Sequence, residues 1–262
     1  MFKNSPLYRS VYAAWELCFD WHLPMAMRPD PDKKSARVEE IVNPLYFMPI
    51  FGALAGLLAL IAGNILFYLL PQNGASVCFA ILLTVLGELR TSGRGLALCV
   101  TFFDVLTAQK SFSVARELRS TSLRNSTGLI ALLLAIGMLF GKFMALFLVA
   151  RTTHCGVASA ALVAALSVEA VLAAEPSASG VPRFCRRARA EFIVAIGGFL
   201  LLFNLIFLAL PTLICAGFAS VLAIVFMNLF INLTGGIDSD DMTMTGYITE
   251  FAVWLLMAIM IA

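Results

Sequence analysis

Long runs of apolar residues, nearly free of charge, divide this chain and constrain it more than any other feature. They fall at about 45–70, 75–88, 127–150, 154–174, 191–210, 212–233 and 246–262. A spanning helix needs roughly 20 such residues. Inside lipid the backbone must satisfy its own hydrogen bonds, so each run is predicted to be helical. Of the 262 residues, 61% are hydrophobic and 13% charged, against roughly 25% charged in an ordinary soluble domain. The predicted fold is therefore all-α, a polytopic integral membrane bundle of about seven transmembrane helices. One further run, Leu96–Leu106, is too short to cross and reads as re-entrant, interfacial or an extension of its neighbour.

Residues 1–44 form a separate N-terminal segment, and 45–262 the membrane domain. The opening lacks the continuous apolar core and cleavage site of a signal peptide. At helical spacing Leu7, Val11, Ala14, Leu17 and Cys18 share a face, which predicts a short helix lying at the membrane surface. The six cysteines show no metal-ligand or disulfide spacing.

Sixteen of the 18 basic residues lie in three segments, 1–44, 89–126 and 175–190. The positive-inside bias places these in the cytosol, with the N-terminus. Counting spans forward puts 234–245 on the same side. That segment opens GGIDSDDMTMTGYITE (235–250), which carries Asp238, Asp240, Asp241 and Glu250 and no Lys or Arg. Such acids are either a solvated turn or a site, since charges beside lipid are rare and usually functional. Carboxylate oxygens suit Mg²⁺, which bridges phosphates. Asp104 ends the short run and is either a second acid of that site or a helix cap. Arg116, Arg119 and Arg124 are either phosphate clamps or a solvated surface. Lys142 lies within a span and either snorkels or belongs to the site.

Several stretches, in order, resemble the cobalamin synthase family, the adenosylcobinamide-GDP ribazoletransferases. WELCFDWHLP (15–24) is similar to the family's opening, and NPLYFMPIFGALAGLLALIAG (43–63) to its Phe-Pro-x-x-Gly first span. ARELRSTSLRNSTGLIAL (115–132) resembles ALEIMKDSRIGxxGxxAL, and the Lys142 span resembles a Leu-Lys-Phe span. GGIDSDDMTMTGYITE matches GGxTGDxxGAxxExxE without a gap, setting Asp240 and Glu250 on family acids. The resemblance implies a bacterial inner-membrane, Mg²⁺-dependent transferase. It would join adenosylcobinamide-GDP and α-ribazole, or its phosphate, to give adenosylcobalamin, or its phosphate, and GMP. Asp104, Asp240 and Glu250 would be catalytic metal ligands, with Asp238 and Asp241 as replacements. Arg116, Arg119, Arg124 and Lys142 would bind substrate. Partners would be membrane lipid, nucleotide and corrinoid substrates, and further copies or other corrinoid enzymes, but no nucleic acid.

The departures are specific. In the family's DGLADTxDG signature only Asp104 survives, while Ala97 and Thr101 stand at the other two aspartates. Two alternatives therefore stay open. One is a non-catalytic relative that binds a corrinoid or a protein. The other is a small transporter, suggested by Lys142 and Glu169 within spans. The transferase reading predicts that Asp104, Asp240 and Glu250 converge. For Asp240 and Glu250 to share an ion, the helix between them must unwind, with Gly246 as the break.

Overall fold

The computed structural model describes residues 5–19, 24, 27–29, 44–107, 129–153, 156–175, 210–234 and 236–261. Every regular element of useful length among them is a helix: α1 Pro6–Cys18, α2 Phe47–Leu69, α3 Gln72–Arg90, α4 Arg94–Thr107, α5 Leu129–Thr153, α6 Gly156–Ala173, α7 Leu210–Thr234 and α8 Ser239–Ile261. Four are long and apolar enough to cross a membrane: α2 with its preceding turn, α3, α5 and α8. Ala161–Ala173 and Gly217–Asn232 are shorter apolar segments. Most of the expected 191–210 span lies outside the described residues, so the four spans are a count among the described residues alone.

Local chemistry sets the helix ends. Ser5 caps α1, accepting a hydrogen bond from the Tyr8 N–H at 3.2 Å, and Pro6 occupies the first turn. The buried stripe of α1 is Ser10, Ala14 and Cys18. Leu7, expected on that face, is half-exposed. Pro71 ends α2, because the residue before a proline is driven to the extended conformation that Leu70 adopts. α3 ends in a left-handed turn at Ser92 and Gly93, where φ is 50° and 75°. The Gly93 N–H reaches back to the Glu88 carbonyl at 2.8 Å, and the Ser92 N–H to Leu89 at 3.1 Å. These two bonds satisfy carbonyls that a helix end otherwise leaves unpaired. The turn re-aims the chain into α4, whose 14 described residues cover about 21 Å.

α8 is the central helix. It packs against α4, α5, α6 and α7. Most of its apolar length is buried, against a third or less in the other three candidate spans. α2 lies on α6 so closely that a Cβ at Gly52 would stand 2.9 Å from the Val163 Cα. Small residues at such crossings let helices approach where lipid supplies no hydrophobic drive. The opposite face of α2 turns Leu54, Leu57, Leu58, Ile61 and Ile65 outward, a lipid-facing stripe.

The start of α8 differs from the sequence expectation. The last span was expected from residue 246, with the acids before it in a loop; the helix begins at Ser239. Asp238 and Asp241 explain this. The Asp241 N–H donates to Asp238 Oδ1 at 2.8 Å, and the Asp238 N–H donates to Asp241 Oδ2 at 3.0 Å. This reciprocal pair is a capping box with aspartate at both positions. It satisfies orphan N–H groups and places negative charge at the helix's positive end. Asp238→Ala is expected to cost about 1 kcal/mol, read as a lower unfolding midpoint in detergent micelles. Asp241→Ala added to it should cost little more, because the two share one motif. Fully additive losses would count against the box.

Candidate functional site

The end of α3, the start of α4, the end of α6 and the start of α8 meet at one end of the bundle. The basic-residue count had put the chain segments beside these ends on one side of the membrane, together with the N-terminal segment. The contacts agree: the Cys18 carbonyl, at the end of α1, accepts from Arg90 Nη1 at 3.4 Å. At the opposite end Gln72 Nε2 donates to the Arg151 carbonyl at 2.9 Å.

Two charged clusters lie inside this end. In the first, Arg90 of α3 holds Glu169 of α6 through two hydrogen bonds, Nη2 to Oε1 at 3.0 Å and Nη1 to Oε2 at 3.3 Å. Both side chains are buried. A forked guanidinium suits a carboxylate in this way because both bonds form in one plane. Burial, with Glu169 nearby, pushes the Cys18 thiol well above its ordinary range, so it stays uncharged at neutral pH.

In the second cluster Lys142 of α5 is wholly buried. Its Nζ stands 3.6 Å from Glu250 Oε1 of α8 and 3.8 Å from Glu88 Oε1 of α3. The same nitrogen lies 4.5 Å from the centroid of the Tyr247 ring and 5.2 Å from that of Trp254. Aromatic faces attract a cation, more strongly when water is excluded. The Tyr247 hydroxyl donates to Glu88 Oε1 at 2.6 Å. Among the described residues neither Glu250 oxygen accepts a hydrogen bond, and Lys142 stands within ion-pair distance of it.

Glycines make room for these groups. A Cβ at Gly87 would lie 2.6 Å from Lys142 Nζ. One at Gly95 would lie 2.6 Å from Tyr247 Cδ2, and one at Gly246 only 1.9 Å from Glu169 Oε1. Gly246 therefore does not break the helix. α8 runs unbroken through it to Ile261, and the missing side chain is the space that Glu169 fills.

The structure thus separates the acids that were expected together. Asp240, in the first turn of α8, is bonded by Arg94 at the half-exposed rim. Glu250 lies ten residues further along an unbroken helix, about 15 Å deeper. Asp104 falls within the last described turn of α4, not at its N-cap; its side chain lies outside the described residues. So do Arg116, Arg119 and Arg124. Lys142 does not snorkel but is held within the bundle. The Mg²⁺ expected from the resemblance does not fit the described carboxylates. Among the described residues no group of three or more His, Cys, Asp or Glu side chains is placed to hold a metal ion. At the positions of the family's other two aspartates, Thr101 is buried and donates to the Ala97 carbonyl at 3.1 Å.

Glu88 and Arg90 were not singled out in the sequence as site residues. The signal was there: Glu-Leu-Arg closes an apolar run, and Glu169, Lys142 and Glu250 each lie in a run with no local partner. Buried charges require partners, and the unassigned charges at the end of α3 supply them. Comparison with protein-family models, with curated proteins and with solved structures finds no match to this chain.

Proposed function

We propose that this chain is an integral membrane transferase of the cobalamin-synthase type, with Glu88, Lys142, Tyr247 and Glu250 as its polar centre. One observation carries the reading. Lys142 and Glu250 lie in two separate stretches that resemble that family's motifs, and they meet at 3.6 Å inside the bundle. Charged residues so deep in a membrane helix cost stability and usually serve function. Arg94 and Asp240 form a rim above this centre, with Glu250 about 15 Å deeper along α8, and a nucleotide-linked amphiphile can present its polar end at that rim while its apolar body stays in lipid. The basic-residue bias supports a cytosolic rim, and the resemblance supports a bacterial inner membrane. The substrates are adenosylcobinamide-GDP and α-ribazole or its phosphate, and GMP leaves.

The experiment is turnover by the purified full chain in detergent. The expected result is release of GMP with formation of adenosylcobalamin or its phosphate. Glu250→Gln and Lys142→Gln should each lower the rate by about a hundredfold, the scale of a misplaced reacting geometry. No turnover by the unaltered chain would overturn the reading.

A second reading, a relative that binds a corrinoid without converting it, is favoured by α4. There Ala97 and Thr101 offer a methyl group and a hydroxyl already bonded to backbone. Corrinoid binding without GMP release is the outcome that would select it.

A further inference from the structure

We infer that the chain's own cations, Arg94 on Asp240 and Lys142 on Glu250, hold the carboxylates of the acidic stretch, which therefore ligate no divalent metal ion. The inference rests on the transferase reading only for which carboxylates belong to the site.

Lys142 supplies the main argument. Its ammonium stands between carboxylates of two other helices and over two aromatic faces. Two carboxylates and two rings around one point make a cage for a cation, and that cage is already filled by a side chain of this protein. A divalent ion there would have to displace a wholly buried ammonium, against the repulsion between the two. Gly87 shows how tightly the place is fitted, because even a methyl group at that position would meet the ammonium.

The remaining described acids offer no alternative set. Mg²⁺ requires near-octahedral oxygens at about 2.1 Å. Asp240 is bonded to Arg94, and Glu250 is about 15 Å away along a continuous helix. Asp238 and Asp241 each accept a backbone N–H of the other's residue. Glu88 accepts the Tyr247 hydroxyl. The positive charge of the site is thus fixed in the chain, on a guanidinium at the rim and an ammonium at depth.

The test is Mn²⁺ alone, titrated into the full chain in detergent micelles and followed by the spin resonance of the free ion. Asp240→Asn and Glu250→Gln are each compared with the unaltered chain, with helix content as the folding control. Binding unchanged to within about twofold in both variants is the expected result, whether the unaltered chain binds Mn²⁺ elsewhere or not at all. A loss of about tenfold or more in folded Asp240→Asn would overturn the inference. That variant changes only a partly exposed rim group, so it keeps the test open if Glu250→Gln fails to fold. The transferase reading is decided by GMP release and this inference by Mn²⁺ binding, so either can fail alone.

Discussion

Replacing Arg90 by methionine is expected to destabilise the protein by about 3–5 kcal/mol, measured by unfolding in mixed micelles. The guanidinium makes both hydrogen bonds to buried Glu169 and a further one to the Cys18 carbonyl. Its removal leaves a carboxylate uncompensated in the bundle, and breaking a buried pair from one side costs on that scale. α1 is affected as well, because its last carbonyl loses the bond that ties it to α3. The double variant Arg90→Met with Glu169→Met should recover most of the loss. Two apolar side chains of similar length leave no charge to desolvate, and such replacements are often neutral or stabilising. Double and single variants equally unstable would show that the pair does more than neutralise itself.

Gly246→Ala is expected to be nearly as damaging, about 3 kcal/mol, although alanine is the better helix former by up to about 1 kcal/mol. The added methyl carbon would stand 1.9 Å from Glu169 Oε1 and 2.5 Å from its Cγ and Cδ. Three atoms of one side chain lie too close for a small shift to relieve, so Glu169 must leave Arg90. The same geometry gives the check. In a Glu169→Ala background the clash is gone, and Gly246→Ala should become neutral or stabilising. A change of sign between the two backgrounds assigns the damage to the buried carboxylate. An equal loss in both would place its cause in the packing of α8 instead.

The capping pair and the glycines show where sequence reading went astray. Asp-x-x-Asp ahead of an apolar run is a helix start. Reading the acids as a solvated turn or a metal site starts α8 at 246, seven residues after its first residue, Ser239. Gly246 looked like a hinge because glycine weakens helices. Its purpose is space, and nothing in its own neighbourhood says which side chain fills it.

Hydropathy by itself determined that the chain is helical, with helices apolar enough to cross a membrane, and where its described helices lie to within a few residues, the start of α8 excepted. Twenty apolar residues in lipid have few other ways to satisfy their backbone. Basic-residue bias also put the segments that meet at the charged end on one side. Both signals are local, summed along one stretch of chain. What only the tertiary structure decided is which charge meets which. Arg90 and Glu169, and Glu88, Lys142 and Glu250, come from different helices and lie far apart in sequence. Their pairing depends on helix rotation and crossing, set by how small residues such as Gly52, Gly87, Gly95 and Gly246 let the helices and their side chains approach.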